Sequence, residues 1–534
     1  MGGNAIAFRC AQFVGQHCPV VILVVGFTLA MGPAFAQTGA CCNYFTGVCH
    51  DNVPVYGCGS EQGWHQGVTC ANLQPPCESV LGAQCNHLTG NCSEWFEFGC
   101  FGSYCETFVG EYCFEIECRP PSIIYVDQNA TGPMHDGTSW CTAFTDLQQG
   151  IAVAKPADTV RVADGVYKPD PTGLANSRLA TFNMKSGVTI EGGYAGCGAD
   201  DPDERSIMGF ASVLSGDLNG DDGPGFANYQ ENCYHVVTGS RVDSTAVLDG
   251  FVVTGGNANV LFEHVSGGGV YLLSSNATVS RCLVIGNRAS GGGGVAAGGE
   301  SPTLRDCVVM GNIANAGGGI FAFGGPHQFI VKGCTIHANV AVVGAGAAAS
   351  QDQHISIMNS IVWQNTVGGV SDEETQLDLS SGATVSFDYS CVQGWTGSFG
   401  GTGNIGDYPL FIDEDGADDL VGTLDDDLRL RPGSPCGNAG DLSLTFDPAD
   451  VDLDGHARIL CGRVDMGAYE SGIGDSDCNA AINLRDFAAL QNCFASDSTP
   501  YGVGCESFDF EGDGDVDLWD YKAFFAPFTG GGTP

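Results

Sequence analysis

This sequence predicts a mainly β chain built around a parallel β-helix, and three observations carry the prediction. First, the line "CVVMGNIANAGGGI" at 307–320 has near-copies at 282–295 ("CLVIGNRASGGGGV") and 334–347 ("CTIHANVAVVGAGA"), then an eroded one at 360–370 ("SIVWQNTVGGV"). The copies begin at Cys282, Cys307, Cys334 and Ser360, intervals of 25, 27 and 26 residues, and Asn287, Asn312, Asn339 and Asn365 repeat those intervals. A period this short is one supersecondary unit stacked on itself. Second, each period holds short β-branched runs between Gly corners and has no room for two helices. Third, 80 glycines imply many turns, while 43% hydrophobic residues is too apolar for disorder.

Taken from the N-terminus, residues 1–36 read as a signal peptide. Arg9 supplies a weak positive start, "PVVILVVGFTLAM" a short apolar core, and "AFA" before Gln37 a small-residue cleavage site. The apolar run is too short to anchor in a bilayer. Export suits the 26 cysteines, of which Cys10 and Cys18 lie in the leader and an even number remains. The formal charge of −43 excludes nucleic acid and anionic lipid as natural partners and favours divalent cations. No later stretch is long and apolar enough to span a membrane.

Residues 37–119 form a duplicated cysteine-rich module. From Cys42 the next cysteines fall at offsets 7, 16, 28 and 35; from Cys85 they fall at 7, 15, 28 and 33. Each copy is too small for a good core, which predicts disulfide staples rather than zinc. Arg119-Pro120-Pro121 is a joint. The β-helix is expected over 120–471, opened by one helix at Phe144–Ala154 that caps its end and stops at Pro156.

Stacked coils place equivalent residues about 4.8 Å apart. Cys282, Cys307 and Cys334 should form one inward column of free thiols, because in-register cysteines point the same way and pair poorly. Val284, Val309, Ile336 and Val362 should form another. The Asn column should satisfy buried turn amides as a side-chain ladder. With those residues inward, Leu283 with Ile285, Val308 with Met310, Thr335 with His337, and Ile361 with Trp363 point outward, and Tyr271, Ala296 and Phe321 make a second outward column. Tyr271, Phe321, His337 and Trp363 are therefore the candidate glycan-binding residues, since an aromatic strip suits sugar rings.

Residues 472–534 carry two acidic loops. "DFEGDGDVDLWD" puts Asp509, Glu511, Asp513 and Asp520 at positions 1, 3, 5 and 12, Gly514 at the sharp turn, Asp515 at 7 and Asp517 at 9. "DSDCNAAINLRD" keeps Asp475, Asp477, Asn479, Asn483 and Asp486 but has Ala480 in place of the glycine. This order wraps hard oxygens around one calcium ion. Matched apolar positions follow each loop, Leu484, Phe487, Leu490 and Phe494 against Leu518, Tyr521, Phe524 and Phe528, and Cys493 with Cys505 should staple the connection.

"IIYVDQNATGPMHDGTSWCTAFTDLQQGIAVAKPADTVRVADGVYKPD", "GVTIEGGYAGCGADDPDERS" and "DLDGHARILCGRVDMGAYE" resemble exported bacterial right-handed parallel β-helix proteins. Those proteins share the pectin-lyase-like fold and repeats with polymorphic outer-membrane proteins, although this chain shows no terminal membrane barrel. The tail resembles a dockerin, an EF-hand-like module whose usual partner is a cohesin. Here Leu484-Arg485 and Leu518-Trp519 replace the Ser/Thr pairs of usual dockerins.

The resemblance implies fold more than function. No catalytic residue is assigned. The Gly-His-Gly and Arg-x-Lys strings of related polygalacturonases are missing, and the Asp pairs lie in acidic loops. "SGDLNGDDG", with Asp217, Asn219 and Asp221 alternating, reads as a plain polar insertion more readily than as an ion loop. The expected role is binding, adhesion or scaffolding on polysaccharide or cell-surface glycan, outside the cell or on its surface. The alternatives are a polysaccharide lyase or glycoside hydrolase, and a purely structural envelope protein.

Overall fold

The computed structural model describes residues 38–43, 48–54, 62–66, 82–94, 105–109, 118–170, 177–260, 264–431, 433–441, 443, 450–460, 462–472, 474–476, 482–494, 502, 505–510 and 515–529. The expected leader, 1–36, lies outside them. The chain divides into two compact units, residues 1–81 and 82–534, so the division falls between the two cysteine-rich copies.

The copies share a backbone plan. In the first, Thr38–Asn43 is the central strand of an antiparallel sheet, with Val48–Pro54 and Gln62–Gln66 on its two edges. In the second, Gly82–Asn86 is central, with Asn91–Glu94 and Cys105–Val109 outside. Cys42 sits opposite Cys49, and Cys85 opposite Cys92. Cys85 and Cys118 form a disulfide, a staple of the expected kind. Just beyond it Arg119 pairs with the buried Asp158 at 2.6 Å, fastening the Pro-rich joint to the first coil.

From Ile123 onward the chain winds into a parallel β-helix with three long sheets of nine, eight and seven strands. One coil runs Thr278–Ser280, Leu283–Ile285, Val295–Gly298; the next runs Thr303–Arg305, Val308–Met310, Ile320–Phe323. Register is kept from coil to coil: Val284 pairs with Val309, Val309 with Ile336, and Ile336 with Val362. These residues belong to one continuous apolar core from Ile124 to Val392. At the corner before the third strand Gly317 has φ +62°, and a Cβ there would run into Ile320 O.

Two polar ladders run inside the coils. Asn312 Oδ1 accepts from Asn287 N–H (2.9 Å) and Nδ2 (3.1 Å), and its own Nδ2 donates to Val284 O (2.8 Å) and to Asn339 Oδ1 (3.0 Å). The pattern repeats through Asn365, where Gln376 Oε1 ends it. Cys282, Cys307 and Cys334 are buried free thiols, as stacking required. Each Sγ donates to the carbonyl two residues back, at 3.1, 3.1 and 3.3 Å. Ser360 and Ser390 continue the column with hydroxyls in the same role.

The predicted helix spans Leu147–Val153, with the Asp146 side chain accepting from Gln148 N–H as its N-cap. Leu147 and Ile151 enter the core, closing one end of the β-helix.

The described residues between 407 and 471 do not continue the coils. They fold back over the outer face of the eight-stranded sheet. Phe411, Leu428, Leu430, Leu453, Met466 and Tyr469 form a second core there with Leu283, Ile285, Val308, Met310, Ile361 and Trp363. Burying such a side chain fully stabilises by about 1.5–3 kcal/mol, so this face belongs to the folding core. The "DLDGHARILCGRVDMGAYE" stretch supplies its polar lock. Arg458 is fully buried, donates to Gly467 O (3.1 Å) and Asp465 O (3.3 Å), and pairs with Glu470 (3.1 Å) and with Asp306 of the coil (3.5 Å). Arg305 adds a 2.7 Å pair to Asp450.

Candidate binding face and metal loops

The register placed His337 and Trp363 outward, and outward they are, but the folded-back segment covers them. His337 is 0% exposed and meets the Phe411 ring edge-on at 5.3 Å; Trp363 is 7% exposed and packs near Tyr408 at 5.9 Å. They are withdrawn as surface glycan contacts. Burial pushes the His337 pKa down to about 4, although the backbone groups of Glu414 and Trp363 beside its ring favour the charged form. Nothing in the repeat period signals this cover, because it is made by a segment some 70 residues later in sequence.

The seven-stranded sheet keeps an open outer face. Tyr271, Ala296 and Phe321 are register partners on three successive strands, as the sequence indicated. Tyr271 and Phe321 are half-buried. Phe323 joins them: its ring stands parallel to Phe321 at 5.5 Å and to Tyr271 at 6.5 Å. Small residues make this possible. Ala296 and Gly298 occupy the intervening coil, and the Phe323 ring lies where a Cβ on Gly298 would be. The rings therefore lie along the sheet with part of each exposed.

The strip continues past Tyr271. His235 stacks on it at 4.8 Å, Tyr234 stacks on His264 at 4.6 Å, and the Arg178 guanidinium covers Tyr234 at 4.2 Å. His235 Nδ1 donates to Gly267 O (2.8 Å), because a carbonyl only accepts; its Nε2 then accepts from His264 Nδ1 at 3.0 Å. Burial pushes the His235 pKa down to about 4, in keeping with this neutral tautomer. No repeat spacing points to Tyr234, His235, His264 or Phe323. The partners of His264, Tyr234 and His235, lie about 30 residues away in sequence, so nothing local marks it.

In the tail, the helices Leu484–Cys493 and Leu518–Thr529 pack through Leu490, Phe508, Val516 and Phe524, and Cys493 and Cys505 form the expected disulfide. Leu484 and Leu518, expected on the packed stripe, are 83% and 54% exposed: each is the first residue of its helix and precedes the contact.

Both loops close in the same way. Asp486 Oδ1 accepts from Ser476 N–H and Oδ2 from Asn483 N–H, both at 2.9 Å; Asp520 Oδ1 accepts from Phe510 N–H and Oδ2 from Asp517 N–H, both at 2.6 Å. The position-12 carboxylate thus ties positions 2 and 9 in each loop. Asn483 and Asp517, both at position 9, cap the helices that follow. Asp475 and Asp509 are buried at the two loop starts. Asp515, Asp517 and Asp520 each bring a carboxylate oxygen within 4.8 Å of the others, a donor set suited to a hard dication. Asp477, Asn479, Glu511 and Asp513 lie outside the described residues.

Two more acidic groupings occur. Asp452, Asp454 and His456 lie together. Their oxygens already have donors: Asp452 accepts from the N–H of Asp454, His456 and Glu470, and Asp454 takes Arg429 through both oxygens. Burial opposes a charge on His456, but the Asp452 carboxylate prevails and pushes its pKa up to about 9. Asp217, Asp221 and Glu231 form the other grouping.

Fold and site together define a parallel β-helix with one face covered and one aromatic face open. The family described as right handed beta helix region matches residues 228–385, the regular coils. A solved pectate lyase, Pel9A, is similar at 16% identity and a TM-score of 0.36, over 65% of this chain and 96% of its own. No curated protein matches. The chain thus contains a right-handed parallel β-helix. Among the described residues no helix is long and apolar enough to cross a membrane.

Proposed function

We propose that this is an exported protein that binds polysaccharide or cell-surface glycan along the open face of its β-helix, with a calcium-stabilised tail. The observation that carries the reading is the row Tyr271, Phe323, Phe321, with ring separations of 6.5 and 5.5 Å on one sheet face. Half-buried rings lying along a rigid sheet present apolar faces to sugar rings at little entropic cost. Two of the bases along the coils are held away from proton transfer, Arg281 by Asp249 and Arg305 by Asp450.

The test presents the purified chain to a panel of neutral and acidic polysaccharides, scoring retention and unsaturated product together. Tyr271→Ala with Phe323→Ala should weaken retention about thirtyfold, from two ring contacts of about 1 kcal/mol each. Unchanged retention in a folded double variant refutes the strip. Unsaturated product would make the chain a lyase.

A further inference from the structure

After the strand Ser212–Ser215 the chain leaves the coil for an acidic loop and returns at Asn232. Asp217 folds this loop around itself, its Oδ1 accepting from Gly220 N–H (2.6 Å) and Asp221 N–H (3.2 Å) and its Oδ2 from Asp222 N–H (3.1 Å). Asp217, Asp221 and Glu231 each place one carboxylate oxygen within 4.8 Å of the other two. Oxygens on opposite sides of an ion held at about 2.4 Å are about 4.8 Å apart, so this spacing fits one calcium coordination sphere. Solvated acidic loops often show as much, and the spacing alone assigns nothing.

The buried side of the loop is different. Asn232 is 0% exposed, and its amide lies against the cluster, with Nδ2 donating to Asp222 Oδ2 (2.7 Å) and to Gly255 O (2.6 Å). Both partners only accept here, so the amide cannot be turned over. That leaves Asn232 Oδ1 without a hydrogen-bond partner among the described residues, and Asp222 Oδ1 and Glu231 Oε1 are orphaned in the same way. Three buried acceptors without a donor in one place is rare in a folded protein, since each keeps its full desolvation cost. Among the described residues no ion pair reaches Asp217, Asp221, Asp222 or Glu231; the nearby Lys168 Nζ turns to Leu218 O at 3.3 Å.

We propose that Asp217, Asp221, Asp222, Glu231 and Asn232 hold a calcium-class dication on the flank of the β-helix, separate from the tail loops. A donor set of carboxylates and one amide oxygen is that of a hard cation and unlike a zinc or copper site. Arg178 Nε donates to Asn232 O (2.7 Å) while its guanidinium covers Tyr234, so the ion would sit at one end of the aromatic strip.

Calcium alone is titrated by calorimetry into the full chain stripped with chelator, and into the full chain carrying Asp221→Asn and Glu231→Gln. Among the described residues the one backbone N–H held by either side chain is Glu231's own, so both proteins should melt alike in chelator. The variant should take up one calcium equivalent fewer, with the remaining binding events unchanged. Equal stoichiometry and affinities in the two proteins, or no calcium uptake by either, overturns the site. If the double variant does not fold, Glu231→Gln alone replaces it: a tenfold or greater loss in one affinity is expected, and no change refutes the proposal.

Discussion

Asn312 shows how much one side chain does in a stacked coil. It closes four hydrogen bonds with groups of the two neighbouring coils, all out of water. Asn312→Ala removes the donor to Val284 O and the acceptor for Asn287 N–H together. Two buried backbone groups lose their partners, at about 1–3 kcal/mol each, so the variant should be destabilised by roughly 2–5 kcal/mol in chemical denaturation. Asn315→Ala, at an exposed position three residues on, should stay within about 0.5 kcal/mol. Similar values for the two would show that the ladder is not structural. The Asn and Cys columns were legible from the sequence because a fixed period converts spacing directly into contact. The role of Ser360 and Ser390 was not, because only the three-dimensional column shows a hydroxyl doing the work of a thiol.

At the scale of elements, the two tail loops close alike and differ in the oxygens they offer. Asp486 and Asp520 close them with the same pair of bonds. The first loop has Ala480 where the second has Gly514, and Asn479 and Asn483 where the second has Asp513 and Asp517. Fewer charges, and a side chain at the sharp turn, weaken the first site. Calorimetry on the full chain should therefore resolve a tighter event lost in Asp513→Ala and a weaker one lost in Asp477→Ala, each falling by at least tenfold. A tighter first loop would mean that the glycine does not govern affinity here. Pairing of the loops was readable from their internal duplication. Which apolar residues pack was only partly so: Leu490 and Phe524 are buried, while Leu484 and Leu518 face solvent.

For the whole molecule, buried histidines set a pH window. His235 and His337 have folded pKa values near 4, against about 6.5 when unfolded. A depressed histidine stabilises fully above pH 6.5 and loses that contribution as pH falls through 4, up to about 3 kcal/mol each. His456, raised to about 9, works the other way: its contribution is whole below pH 6.5 and lost as pH rises through 9. Buried Asp306 and half-buried Asp426, both pushed up to about 6, oppose the acid-side loss, so the measurement is a difference between proteins. From pH 7 to 4 the stability of the wild type relative to His337→Leu should fall by about 3 kcal/mol; from pH 6.5 to 9 its stability relative to His456→Gln should fall. A pH-independent difference in either pair would mean that the ring keeps its ordinary pKa.

The sequence by itself determined the repeating coil, its inward columns, the capping helix, the disulfide of the second small copy and the matched closure of the two tail loops. All are local or periodic, so spacing along the chain fixes contact in space. Only the tertiary structure decided which outer face is open. His337 and Trp363 satisfy the same alternation as Tyr271 and Phe321, and period two separates inward from outward without saying what lies outside. The described residues between 407 and 471 cover the first pair because Arg458 meets Asp306 and Phe411 meets His337, contacts across about 150 and 70 residues of chain. Such long-range contacts leave no period to read, and they leave the aromatic row on the seven-stranded sheet as the face turned to solvent.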